Sequence, residues 1–207
     1  MPRVFLLSPA NCGGARARQI LSPGADFLLA RRLGAPEGAA LGDVFAFVSG
    51  LYFRGKLTYA RRFAAPPDPE RAAVYVITPN AGLRDADTPI TRAALRSFGG
   101  ADVHPDNAAY RRPLERSASA LAREIGAECD VVLLGSIASP KYVSILLEIF
   151  GERLRFPVEF IGRGDMSRGG LLLRMAASGR ELEYASIAGA VLHGARPPKL
   201  PPLRHAQ

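Results

Sequence analysis

The sequence predicts a single α/β domain: a mainly parallel central sheet of about five strands, with helices on both faces. Two observations carry this. Four short apolar runs, residues 4–7 (VFLL), 73–77 (AVYVI), 130–134 (DVVLL) and 158–161 (VEFI), are each too short for a helix. Each is followed by a loop and then by residues with helical spacing, and such alternation gives a parallel sheet buried on both faces. At 207 residues and 48% apolar content, the chain suits one such domain. Residues 1–193 are assigned to it, and the Pro-rich segment 194–207 to a flexible tail.

The first run leads into SPANCGGARAR. Pro9, Asn11, Gly13 and Gly14 make a turn-rich loop, and residues 15–21 begin a helix. The first amides of that helix point at Asn11, Cys12 and Gly13, an arrangement that suits an anion as well as an ordinary β–α turn. The spacing is neither G-x-G-x-x-G nor a Walker A loop. Ser22-Pro23 reads as N-cap plus first helical residue, opening a helix over 25–33, with 34–42 as loop.

Residues 43–63 are the most aromatic stretch. A helix over 51–63 sets Tyr52, Lys56 and Tyr59 on one face at i, i+4 and i+7. Flanked by Arg54, Arg61 and Arg62, that face suits a stacked base and a phosphate; the same tyrosines also suit the edge of a core.

Residues 65–70 are a Pro-rich connector. After the second run, the loop NAGLRDADTP places Asn80 and Asp85 at the strand's carboxyl end, with Gly82 for a tight turn. A short helix over 91–98, capped by Thr88 or Thr91, and an amphipathic helix over 109–125 follow. Pro113 belongs to the first turns of the second, which puts its start near Arg112.

Gly135 and Ser136 end the third run, and Ser139-Pro140 opens a helix over 141–150. Lys141 in its first turn opposes the helix dipole, a mismatch that an anion bound nearby would relieve. The fourth run leads into a nine-residue loop, 162–170 (GRGDMSRGG), and a helix over 171–177. Residues 181–187 form a last strand at a sheet edge.

Cys12 and Cys129 form no C-x-x-C pair, and His104, His193 and His205 are scattered. A disulfide scaffold and a metal site are therefore not expected, and a reducing cytoplasm is. No apolar run approaches the roughly 18 residues of a membrane span, and no cofactor is implied. Net charge is +8, and residues 1–64 hold nine basic residues against three acids, so +6 lies there. A basic N-terminal half points to a polyanion or a phosphorylated ligand, although an Arg-rich composition alone gives the same excess.

In parallel sheets ligands bind beyond the carboxyl ends of the strands, where strand order switches. Those ends supply Asn11, Asn80, Ser136, Arg163, Asp165, Ser167 and Arg168. Asp165 or Ser167 suits a cap for the helix that follows, a structural role that can be the whole of its work. The chemical alternative gives a carboxylate between two arginines the task of orienting water or stabilising an oxocarbenium-like centre. Asn80 then reads a base edge, Tyr52 stacks on it, and Arg163 and Arg168 hold phosphate. With no G-x-S-x-G, this set favours cleavage or exchange of an N-glycosidic bond in a nucleoside, nucleotide or nucleic acid. A non-catalytic nucleic-acid-binding module and a nucleotide-binding regulatory protein are the competing readings.

The order SPANCGG, LYFRGKLTYA, VYVITPNAGL within residues 4–90 resembles a group of small bacterial domains distantly related to YaaA-like and deazaguanine-modification proteins. The resemblance implies work on nucleic acids or bases and implicates Tyr52, Tyr59, Gly82 and Leu83. It has no counterpart for GRGDMSRGG.

Overall fold

The computed structural model of the chain describes residues 1–190, 194, 195, 197, 198 and 200. Its strands are β1 (Arg3–Leu7), β2 (Ala39–Ala40), β3 (Val74–Thr78), β4 (Gly82–Asp85), β5 (Pro89–Ile90), β6 (Asp130–Leu134), β7 (Leu154–Pro157) and β8 (Tyr184–Ser186). Six of them form one sheet in the order β4-β3-β1-β6-β7-β8. β3, β1, β6 and β7 are parallel, and the two edge strands, β4 and β8, run antiparallel to their neighbours. β2 and β5 pair separately. The mainly parallel sheet expected from the sequence is present, with one strand more than anticipated.

β1 is the hub. Val4, Phe5, Leu6 and Leu7 are fully buried, as are Val131, Val132, Leu133 and Leu134 beside them. From β1 the chain passes through α1 (Ala15–Leu21), α2 (Leu28–Gly34), α3 (Leu41–Ser49) and α4 (Leu51–Phe63) to β3 on one side. It returns through α5 (Arg92–Gly99) and α6 (Ala108–Ile125) to β6 on the other. The order therefore switches between β1 and β6, which opens a crevice at their carboxyl ends. Beyond β6 come α7 (Pro140–Phe150), β7 and α8 (Asp165–Ser178).

Several local expectations are corrected. The fourth parallel strand is 154–157, and Val158–Phe160 is a 3-10 turn. Leu154 and Phe156 supply the buried positions, and the ladder to β6 runs from Leu154 to Arg155. The loop expected over 162–170 shrinks to Gly162, Arg163 and Gly164, because α8 already begins at Asp165. NAGLRDADTP is no strand-end loop: Thr78 pairs with Gly82 and Tyr75 with Asp85, so β3 and β4 form a hairpin. Thr78 Oγ1 closes its turn, donating to Gly82 O at 2.7 Å and accepting from Ala81 N at 3.0 Å.

Ser22 does not open a helix. Its amide donates to Gln19 O and its carbonyl accepts from Ala25, so it closes α1 and α2 starts six residues later. The loop placed at 34–42 holds β2 and the first turn of α3. α6 starts at Ala108, where Asn107 Oδ1 accepts from Ala109 N, and carries Pro113 inside it. Thr91, as expected, caps α5. Of the expected tail, Gly194 and Ala195 lie against Ile161 and Gly162, and Leu200 packs on the core. Residues 191–193, 196, 199 and 201–207 lie outside the described residues.

α4 and α8 cross with their backbones in contact. A Cβ on Gly55 would stand 2.6 Å from Gly169 O, and one on Gly169 would stand 2.8 Å from Tyr52 Cα. Neither is a distance that real side chains adopt, so glycine at both positions is a packing requirement. Gly169 was grouped with loop glycines in the sequence because its partner helix lies more than a hundred residues away.

Gly55→Ala forces this crossing apart and is expected to destabilise the protein by about 1–3 kcal/mol in urea unfolding. Gly170→Ala serves as control. Its Cβ would meet only Leu200 at 3.9 Å, and it is expected to be neutral or stabilising.

Candidate functional site

Below the carboxyl end of β1, Lys56, on α4, points at Ser8, the residue that follows the strand. Its Nζ donates to Ser8 O and Ser8 Oγ, both at 2.8 Å. The lysine is only 1% exposed. The rings of Tyr52 and Phe53 stand on its other sides, each with its centroid 4.6 Å from Nζ. No carboxylate contacts the amine among the described residues. Burial lowers the Lys56 pKa to about 7, opposed only in part by the more distant Asp165 carboxylate.

The β6 side of the crevice is built to leave room for Ser8. Ser8 N donates to Leu134 O at 3.2 Å, which ties the two strand ends together. A Cβ on Gly135 would stand 2.8 Å from Ser8 Cβ and 2.9 Å from Tyr142 Oη. Tyr142, in the first turn of α7, accepts from Ser136 N at 3.0 Å and donates to Ser136 O at 3.1 Å. Burial raises its pKa.

Tyr52 is 8% exposed, and its hydroxyl has no hydrogen-bond partner. Such a group costs stability unless something completes it. Burial raises its pKa, with Arg168 acting in the opposite sense. Arg168 stacks over Phe160 with its guanidinium 5.2 Å from the ring centroid, donates to Phe160 O, and stands 3.7 Å from Asp165. One cluster thus joins Ser8, Lys56, Tyr52, Tyr142, Arg168 and, at its outer end, Asp165.

The remaining sequence candidates fall into three other places. Asn11, Cys12, Gly13 and Lys141 line a neighbouring cleft of about 280 Å³. There Asn11 Oδ1 accepts from Gly13 N at 3.1 Å. Burial pushes the Cys12 thiol up to about 12, which leaves it unreactive at neutral pH. Arg163 and Ser167, 3.3 Å apart, share with Asp165 a hollow of about 790 Å³ at the start of α8, where Pro197, Pro198 and Leu200 form another part of the wall. The N-cap of α8 is Gly164, so neither Asp165 nor Ser167 caps it.

Three candidates hold the structure together. Asn80 donates to Ser97 O and Ser97 Oγ on α5, so it is not brought to Asp165 on α8. Gly82 adopts φ +69° with Pro113 O and Ser117 Oγ where a side chain would be, which leaves no space for a ligand. Tyr59 is buried between Phe5 and Phe63, bonded to Tyr184 and Leu182, with its pKa pushed up to about 12 by that burial. Tyr52 is likewise enclosed and presents no free face to a base. The polar and aromatic residues of α4 share one face as the spacing predicts, but it faces the sheet and α8 rather than solvent.

Ser8 and Tyr142 are the residues that sequence reasoning missed. The signal for Ser8 was its place directly after the first buried strand; nothing local announced its partner 48 residues on. Among the described residues no group of three or more His, Cys, Asp or Glu side chains could hold a metal ion, and no helix is long and apolar enough to cross a membrane. Set beside protein-family models, curated proteins and solved structures, the chain matches none.

The lysine's burial makes stability depend on pH. Unfolded, Lys56 keeps its proton up to 10.5, and folded only to about 7, so between these values the unfolded state holds more protons and stability rises with pH. Cys12, raised from 9.0 to about 12, works in the opposite sense above pH 9. Between pH 7 and 9 the unfolding free energy of the wild type, less that of Lys56→Met, is expected to climb by up to about 1.4 kcal/mol per pH unit. A difference that stays flat would refute the lowered pKa.

Proposed function

We propose that the chain is an enzyme acting on a nucleoside, nucleotide or nucleic acid, and that it cleaves or exchanges an N-glycosidic bond in the β1–β6 crevice. The observation that carries the reading is the buried Lys56, bound to Ser8 where the strand order switches. A lysine near neutrality takes up and releases protons at working pH, and its burial without a carboxylate partner costs more than a structural tie needs. The substrate class is supported by charge. Of the nine basic residues in 1–64, six (Arg16, Arg18, Arg31, Arg32, Arg54 and Arg62) are exposed and lack a carboxylate partner among the described residues. The resemblance within residues 4–90 supports the same class.

On this reading Asp165 stabilises the cationic sugar or orients water, and Arg168 holds it in place. Asn80 takes no part, because its amide is engaged by Ser97. The test is release of free base from a panel of nucleosides, nucleotides and short DNA and RNA strands, followed by chromatography. Asp165→Asn is expected to lose about 100-fold or more while unfolding normally. Near-wild-type release by that variant would eliminate the mechanism.

The six unpaired arginines also favour a second reading, a nucleic-acid-binding module without turnover. Its surface excludes Lys56, which is buried, and Arg61, which pairs with Asp87 and Asp43. Under it, DNA or RNA binding falls steeply with salt, and replacing Arg31, Arg32, Arg54 and Arg62 together by alanine flattens that slope. Binding that is absent or indifferent to salt rules it out.

A further inference from the structure

We propose that Ser8 is a nucleophile with Lys56 as its general base, so that the reaction in the β1–β6 crevice passes through a covalent adduct on Ser8 Oγ. This rests on reading the crevice as a reacting site, and it gives the proposed N-glycosidic chemistry its route to exchange.

The geometry is that of an amine committed to one hydroxyl. Lys56 Nζ has two polar contacts, both on Ser8, at 2.8 Å. A neutral amine satisfies both by donating to Ser8 O and accepting the proton of Ser8 Oγ. The carbonyl contact fixes the amine, and the hydroxyl contact is the one along which a proton moves. The Tyr52 and Phe53 rings enclose the amine on its other sides, so Ser8 marks the side on which it meets a substrate. A lysine that merely fastened α4 to β1 would need the carbonyl alone.

The polar groups of the cluster come from every packed element. They are Ser8 from β1, Tyr52 from α4 itself, Tyr142 from α7, and Asp165 with Arg168 from α8. Among the charged groups only Asp165 favours the ammonium, from the outer end of the cluster, and the faces of the Tyr52 and Phe53 rings favour it as well. Burial prevails, so near neutral pH a useful fraction of the amine is free to act as a base. Glycine at 135 keeps the space beside Ser8 free of a side chain, since a Cβ there would stand 2.8 Å from Ser8 Cβ, and the Tyr52 hydroxyl is buried without a hydrogen-bond partner.

In the first half-reaction Lys56 takes the Ser8 proton and Oγ bonds to the anomeric carbon. The C–N bond breaks with its electron pair on the departing base, which takes a proton from the Lys56 ammonium. In the second, water or an incoming base loses a proton to Lys56 and bonds to the same carbon. The Oγ–carbon bond then breaks, and the serine oxygen regains its proton from Lys56. Asp165, at the outer end of the cluster, lends its charge to the cationic carbon in both halves.

The test uses a fluorophosphonate probe on the full chain, which reports serine nucleophilicity whatever the natural substrate, with mass spectrometry of the intact protein and its peptides. One adduct at Ser8 is expected, absent in Ser8→Ala, with a labelling rate that rises with pH about a midpoint near 7. In folded Lys56→Met the rate at pH 7.5 is expected to fall by about 100-fold or more. The wild-type pH profile stands even where that variant does not fold. No adduct, an adduct elsewhere, a rate flat from pH 5 to 9, or an undiminished rate in folded Lys56→Met each overturns the proposal. Base release without a Ser8 adduct overturns it and leaves the function above standing. A Ser8 adduct without base release from any substrate does the reverse.

Discussion

Backbone meets backbone where α4 crosses α8, and the placement of the site depends on that contact. Gly55 and Gly169 remove the side chains that normally hold two helices 8–10 Å apart. Each glycine neighbours a residue of the cluster in sequence: Lys56 follows Gly55, and Arg168 precedes Gly169. Tyr52 and Asp165 lie about one turn earlier on their own helices. Bringing the axes together therefore delivers an amine, a phenol, a guanidinium and a carboxylate to one volume. A single α4 face then meets both β1, through Lys56 and Ser8, and α8, through Tyr52.

Burying a lysine there works against the fold. A charged ammonium without a carboxylate partner is costly in the interior, and the protein meets that cost by holding the amine near neutrality. The two aromatic rings and the two Ser8 oxygens are compatible with either protonation state, so the amine can change charge without repacking its neighbours. An apolar residue of similar length would fill the same space with less strain on stability. Keeping Lys56, like keeping the unpartnered Tyr52 hydroxyl, is a local departure from good packing of the kind that marks a working site.

What the sequence made legible followed from short-range periodicity. The run 130–134 is β6 residue for residue, Ala15–Leu21 is α1, and the i, i+4, i+7 spacing put Tyr52, Lys56 and Tyr59 on one face. Periodicity could not say which way that face points, and it is inward. Gly82–Asp85 escaped notice as a strand because four residues ending in Arg-Asp carry little apolar signal, and only pairing with β3 stabilises them. Gly169 and Gly170 looked like loop because a glycine needed for close approach is indistinguishable from one needed for a turn until the partner helix is in place. The Ser8–Lys56 contact joins residues 48 apart, and neither residue alone carries its mark.

The distribution of charge separates two tasks that sequence reasoning had assigned to one face. Lys56 was cast as a phosphate holder, but a buried amine held near neutrality is poorly suited to that work. Exposed cations lie elsewhere, among them the unpaired arginines of the first 64 residues and Lys141 at the rim of the adjoining cleft. A floor close to neutral beneath a positive exterior, on the proposed reading, draws in a polyanion without competing for its phosphates. On the proposed reading the phosphates stay outside, and only an uncharged part of the substrate, a sugar with its base, meets Ser8. That division fits chemistry at an anomeric carbon better than chemistry at phosphorus, which would place the substrate's negative charge where the protein supplies little but Arg168 to offset it.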